Sequence, residues 1–155
     1  MDTICSLQRS AIMARIKSKN TAPEIAVRRA AHRLGFRFRL HRRDLPGVPD
    51  LVFPRFRRVL FVHGCFWHQH QGCKRSNVPK SRVDYWAPKL SRNVLRDFLH
   101  QRRLEKLGWT VGVIWECQTE LPGAVEALVA RFVSGEHPRV GAYGKWATCE
   151  KSENP

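Results

Sequence analysis

Apolar residues recur along this chain with two different spacings. Between Glu24 and Leu34, Ile25, Ala30, Ala31 and Leu34 form a partial stripe of the kind one helix face presents. Thr21 precedes the stripe as an N-cap, Pro23 suits the first turn, Glu24 completes a capping box and Gly35 supplies the stop. Phe36-Arg-Phe-Arg-Leu40 then alternates, which predicts a half-buried strand. Leu51–Phe53 and Val59–Val62 are short continuous apolar runs separated by Pro54–Arg58, which predicts a β-hairpin. From Pro88 to Leu107 the helical period returns, with Leu90, Val94, Phe98, Leu104 and Leu107 as the inner face and Gly108 at the end. Thr110–Trp115 reads as a strand and Pro122–Ser134 as a last amphipathic helix. The succession α-β-β-β-α-β-α predicts an α/β fold, a small mixed sheet flanked by helices, over residues 21–134. Residues 1–20 are read as a basic arm, helical or mobile until a ligand orders it, and residues 135–155 as a loose tail.

Charge changes this picture from a generic domain to one with a polyanionic partner. The chain has 28 Lys and Arg against 13 Asp and Glu, a net charge of +15. From Met1 to Arg43 eleven basic residues face only two acids, Asp2 and Glu24. Such a field favours nucleic acid and predicts salt-sensitive binding. The run lengths predict no membrane span, and the N-terminus lacks the pattern of a secretory signal, so a cytoplasmic, reducing location is expected. In that setting five cysteines argue for metal rather than disulfides.

The long excursion from Gly64 to Ala87 has little periodicity and needs something to hold it. It opens on Phe61-Val-His-Gly-Cys-Phe-Trp-His-Gln-His-Gln-Gly-Cys73. Cys65, His70 and Cys73 have the spacing C-x4-H-x2-C, which lets one loop converge on a tetrahedral ion. Cys117, just beyond the strand Thr110–Trp115, is the candidate fourth ligand of a structural zinc, or else an ordinary buried cysteine. His63 and His68 are then left for proton transfer, or as histidines of no chemical consequence.

Pro49-Asp50 opens the hairpin, a weak sign of a PD-(D/E)xK nuclease core, and no D/E-x-K follows it. The combination is more specific. SKNTAPE, LPGVPDLVF, FVHGCFWH, KSRVDYW, RNVLRD and LGWTVGVIWEC occur in this order and resemble the very short patch repair (Vsr) endonuclease family from about Ser6 to Ser134. The resemblance implies a restriction-endonuclease-like fold with a structural zinc loop. It implies a Mg²⁺-dependent enzyme that nicks double-stranded DNA 5′ to the thymine of a T:G mismatch, the product of 5-methylcytosine deamination.

By motif position Asp50 matches the Mg²⁺ carboxylate, His68 the catalytic histidine, His63 a second active-site histidine and Glu24 an accessory acid. Val62 stands where the family often has threonine; since the backbone carbonyl is the ligand there, Val62 serves equally. The zinc ligands carry over onto Cys65, His70, Cys73 and Cys117. Glu24 has two readings that are compatible, helix cap and active-site acid.

Phe66 and Trp67 lie between the ligand Cys65 and the candidate catalyst His68. They either cover the metal site or act as wedges that open a base stack, a step that is easier at a mismatch. The resemblance favours wedges and adds Trp86. Lys89, Asn93 and Arg96 share one helix face at i, i+4, i+7, suited to base edges and phosphate or simply solvated. The resemblance assigns Lys89 and Asn93 to the wobble pair and packs Met13 against it. Further partners it implies are a mismatch-repair coordinating protein and a DNA polymerase acting downstream, with the enzyme itself a monomer. The rivals are a non-catalytic zinc-dependent DNA-binding module and a restriction nuclease that cuts matched DNA.

Overall fold

A computed structural model of the chain describes residues 6–121 and 123–136. Cys5 and Cys149, residues 1–5 of the arm and residues 137–155 of the tail lie outside the described residues. The arm contains a helix, α1 (Ser6–Arg15). Helix α2 (Ala22–Arg33) starts at Thr21, whose hydroxyl oxygen accepts from the Glu24 N–H at 3.4 Å, so the capping signal is used as read. Gly35 follows it at φ +79°, the left-handed conformation that ends helices.

Strands β1 (Arg39–Leu40), β2 (Leu51–Phe53), β3 (Arg58–His63) and β4 (Thr110–Trp115) form one sheet in that order. β1–β2 and β2–β3 are antiparallel, and β3–β4 is parallel through α3 (Val83–Lys106). β1 is shorter than the alternation Phe36–Leu40 suggests. β2 has only three residues before Pro54, so it offers partners to Arg39 and Leu40 alone; Phe36 and Phe38 instead pack edge-on against Phe53.

Both faces of the sheet are covered, which is why β3 and β4 are continuous apolar runs. On one face α2 and α4 (Ala124–Ser134) bring Val27, Ala30, Ala31, Val129 and Phe132 onto Leu51, Phe53, Leu60 and Ile114. Phe132 lies so close to β4 that a Cβ at Gly112 would come within 2.6 Å of its ring. On the other face Leu104 of α3 meets Val52, Val59, Phe61, Val111 and Val113.

Helix α3 departs from expectation in two ways. It begins at Val83 rather than Pro88, with the proline inside it, one and a half turns from the start, where it removes a single hydrogen bond. Its inner face is also different: Leu90 and Leu104 are buried, but Phe98 and Leu107 are 45% and 53% exposed. The buried stripe runs through Trp86, Leu90, Asp97, Gln101 and Leu104. Two polar side chains replace apolar ones there because this part of α3 walls a cleft rather than the core.

Candidate active site and metal centre

The antiparallel turn of the hairpin brings the start of β2 beside the end of β3. Asp50 thereby stands next to Val62, whose N–H donates to Asp50 Oδ2 at 2.7 Å. In an extended strand a residue's N–H and C=O point to the same side, so the Val62 carbonyl faces that carboxylate as well. Two residues after Val62 the chain leaves β3 and folds back through short turns, with His68 N–H donating to Gly64 O at 3.2 Å. That return lays the His68 ring flat on His63, with centroids 3.8 Å apart and an interplanar angle of 7°.

A cleft of about 330 Å³ results, and Glu24, Asp50, Val62, His63 and His68 all line it. The proposed chemistry is therefore gathered in one place. Sequence reasoning missed two further members. Asp97 of α3 holds His68, with Oδ2 2.5 Å from Nδ1. A carboxylate accepts, so Nδ1 carries the proton and Nε2 is left as a base. The signal available was that Asp97 follows Leu90 by seven residues and so belongs to the buried stripe. The other is His41, held in left-handed backbone at φ +45° just after β1. Its Nε2 accepts from Arg28 Nη2 at 2.9 Å, and its Nδ1 lies 3.9 Å from Asp50 Oδ1. No sequence pattern marked it.

The electrostatics follow from burial. Burial pushes the Asp50 carboxyl up to about 7, the Glu24 charge adds to this and the Val62 N–H opposes it. Burial drives His63 down to about 3, helped by His68, so it stays neutral. Burial raises the Asp97 carboxyl, but its bond to His68 and the nearby imidazoles outweigh that and leave it lowered. Glu24 is 4% exposed and well engaged: it accepts from the Asn20 N–H at 2.9 Å, the Thr21 hydroxyl at 3.1 Å and Arg28 at 3.0 Å.

Ligand atoms of Cys65, His70, Cys73 and Cys117 lie within 4.8 Å of one another, a group able to hold a metal ion. His70 turns Nδ1 towards the sulfurs, 3.6 Å from Cys65 and 3.4 Å from Cys117, and its ring stacks on Trp115 at 4.2 Å. Burial pushes both the Cys65 and Cys117 thiols up, and a cation among them is the group that would offset this penalty. Glu24, His41 and Asp50 form a second group with the same reach, and His63, His68 and Asp97 a third.

The aromatic residues gather on the outer side of the loop. Phe66 meets Trp67 and Trp86 at 5.1 and 5.4 Å, and Tyr85 meets Trp86 at 5.1 Å. Phe66 and Trp67 are half-buried, while Trp86 is 8% exposed. Lys89 sits over the Trp67, Tyr85 and Trp86 rings, Asn93 Nδ2 donates to the Trp67 carbonyl at 3.1 Å, and Arg96 donates to Asn93. Met13 stands half-buried on a separate element, α1.

Comparison with known proteins gives the family. Residues 1–75 match the family described as DNA mismatch endonuclease Vsr. The chain is 52% identical over 132 residues to the type II nicking enzyme V.XorIIP of Xanthomonas oryzae pv. oryzae, covering 85% of this chain and 96% of that one. It is 41% identical over 109 residues to the DNA mismatch endonuclease Vsr of Escherichia coli, covering 70% and 69%. The chain belongs to the Vsr family of endonucleases. The type II nicking enzyme V.NmeAIP of Neisseria meningitidis is 40% identical over 132 residues, covering 85% of this chain and 94% of that one. DNA is thus the partner of this Vsr endonuclease, in line with its +15 charge. Among the described residues no helix is long and apolar enough to cross a membrane.

Proposed function

We propose that this protein is a monomeric, cytoplasmic nicking endonuclease that cuts double-stranded DNA 5′ to the thymine of a T:G mismatch left by 5-methylcytosine deamination. The observation that carries the reading is the single cleft lined by Asp50, Val62, His63 and His68, beside a loop bearing the half-buried Phe66 and Trp67. Residues 21–134 carry the nuclease, as a restriction-endonuclease-like core whose hairpin presents Asp50, and residues 1–20 and 135–155 are arm and tail.

The Asp50 carboxylate and the Val62 carbonyl suit a hard divalent cation, here Mg²⁺, which supplies charge neutralisation at the scissile phosphate when bound. Cys65, His70, Cys73 and Cys117 suit a structural zinc that fixes the loop. His68 takes the proton of the attacking water at Nε2, because Asp97 keeps Nδ1 protonated and the ring oriented. Neutral His63 stacks beneath and holds that ring in plane. Glu24 braces this wall through its cap and through Arg28 and His41. Phe66, Trp67 and Trp86 wedge the stack at the mismatch, where Lys89 and Asn93 meet the base edges, Arg96 meets phosphate and Met13 packs from the arm.

A nicking assay with Mg²⁺ on T:G and matched duplexes tests this, using wild type, Asp50→Ala and His68→Ala. Wild type should cut the T:G strand alone and both variants should bind without cutting. Equal cutting of matched DNA would favour a restriction nuclease, and binding with no cutting by wild type would favour a DNA-binding module.

A further inference from the structure

Glu24, Asp50 and Asp97 all face the cleft, and a phosphodiester docked there adds another anion to three carboxylates. The hairpin brings no cationic side chain against this repulsion, since its contribution to the lining is Asp50, Phe61, Val62 and His63, and a divalent ion on Asp50 and Val62 would offset only part of it. Only Lys19 and Arg96 of the lining residues carry a permanent positive charge. Arg96 Nη2 donates to Asn93 Oδ1 at 3.0 Å, so this guanidinium is already shared with the recognition face of α3. Lys19 is exposed and makes no hydrogen bond or ion pair among the described residues.

The backbone that carries Lys19 is nevertheless fixed. Its neighbour Asn20 adopts left-handed backbone at φ +54°. The Asn20 N–H donates to Glu24 Oε2 at 2.9 Å, and Asn20 Oδ1 accepts from Arg28 Nη1 at 2.7 Å. Two contacts from α2 thus clamp the bend between α1 and α2 at the edge of the cleft. The charge is felt inside as well: Lys19 helps to hold the His41 imidazole below its usual range, after burial and Arg28. A cation with a free ammonium on a clamped backbone, at the edge of a cleft that buried carboxylates line, is arranged for an anionic ligand rather than for solubility.

We propose that Lys19 is a further catalytic residue, donating to a non-bridging oxygen of the scissile phosphate from the N-terminal side of the cleft. The inference rests on the nicking function above. In that step water forms the new P–O bond and gives its proton to His68, the bond to the leaving oxygen breaks, and that oxygen takes up a proton from solvent. Lys19 stays an ammonium throughout and stabilises the charge that grows on the phosphoryl oxygens.

The test is single-turnover nicking of a T:G duplex at saturating enzyme with Mg²⁺, together with the Kd for the same duplex. The proteins are wild type, Lys19→Ala, Lys19→Arg and, as a charge-matched control nearby, Lys17→Ala. Lys19→Ala should slow the step at least about tenfold while Kd rises less than about threefold, because one preorganised donor acts mainly on the transition state. Lys19→Arg should return to within about threefold of wild type, and Lys17→Ala should keep the wild-type rate. A Lys19→Ala rate at saturation equal to wild type overturns the proposal, whatever happens to Kd. So does an equal fall in Lys17→Ala, which would make the effect one of overall charge. If wild type cuts only matched DNA, the mismatch reading fails and the same comparison on the matched duplex still judges Lys19. If it cuts neither, both fail.

Discussion

Replacing Asp50 with asparagine should make an inactive protein that is more stable than the wild type. The Asp50 carboxyl is pushed up to about 7 from an ordinary value of 3.8, by burial first and then by the charge of Glu24. Its side chain is 17% exposed, so little solvent relieves this. Below about pH 4 the folded and unfolded chains both hold the proton and the site carries no penalty. Between about pH 4 and 7 the unfolded chain loses the proton first, so rising pH favours unfolding. Above about pH 7 both states are ionised and the full penalty remains, about 4 kcal/mol, since each tenfold difference in proton affinity between the two states is worth roughly 1.4 kcal/mol. Asparagine keeps an oxygen for the Val62 N–H and removes the charge. Urea unfolding of both proteins, with neither chelator nor divalent ion added, should show Asp50→Asn more stable by that amount at about pH 8 and the gap closing towards pH 4. Histidine and Asp97 titrations occur in both proteins and largely cancel in the difference. Adding Mg²⁺ should then stabilise the wild type and leave the variant unchanged. An Asp50→Asn protein no more stable at alkaline pH, or a gap that does not narrow in acid, would refute the reasoning.

Asp97→Asn keeps the shape of the wall but loses the charge that orients His68, so single-turnover nicking should fall by about a hundredfold with Kd unchanged; a loss under about threefold would remove Asp97 from the mechanism. Gly47→Ala should destabilise the fold by about 2–4 kcal/mol in urea melts. Gly47 has φ +75°, and a Cβ there would lie 2.8 Å from His100 Nδ1, pushing the turn before Asp50 off α3. If Cys65, His70, Cys73 and Cys117 hold zinc as proposed, a chelator should release about one zinc per chain, change tryptophan fluorescence because Trp115 stacks on His70, and abolish nicking that Mg²⁺ alone does not restore.

The α/β order and most elements were legible because each carries its own local signal. Thr21-x-x-Glu24 caps α2 as it reads, the runs Leu51–Phe53 and Val59–Val62 pair as a hairpin, and Thr110–Trp115 is β4 to the residue. The metal loop was legible from spacing, because three of its four residues lie within nine positions. What could not be read depends on distant partners. Phe98 and Leu107 fit a helical stripe as well as Asp97 and Gln101 do, and only the return of His68 to α3 decides that a carboxylate takes the inner place. His41 reaches Asp50 because β1 pairs with β2, a register set by two residue pairs with no sequence marker. Lys19 looked like one more charge in a basic arm until the Asn20 clamp placed it on the cleft.

In the function proposed above, recognition and chemistry share one turn of chain, and this limits how they can be separated. Cys65 and His70 face the sulfur cluster, His68 between them faces Asp97, and Phe66 and Trp67 face outward to Trp86. The turn is held at both ends: His70 N–H donates to Cys65 O at 3.0 Å, and Cys65 N–H donates to Glu116 Oε2 at 3.3 Å. Asn93, one turn of α3 before Asp97, binds the Trp67 carbonyl, so α3 grips Trp67 and His68, the proposed wedge and base, from the same side. A force on the rings from a base stack is therefore transmitted to the His68 imidazole through two bonds to one helix. A tightly paired duplex that refuses the rings would leave His68 displaced from the water it must deprotonate, and a weak pair that admits them would seat it. On that account, truncating Phe66 or Trp67 should lower the nicking rate on T:G DNA at saturation as well as the affinity, and rings that served affinity alone would leave that rate unchanged.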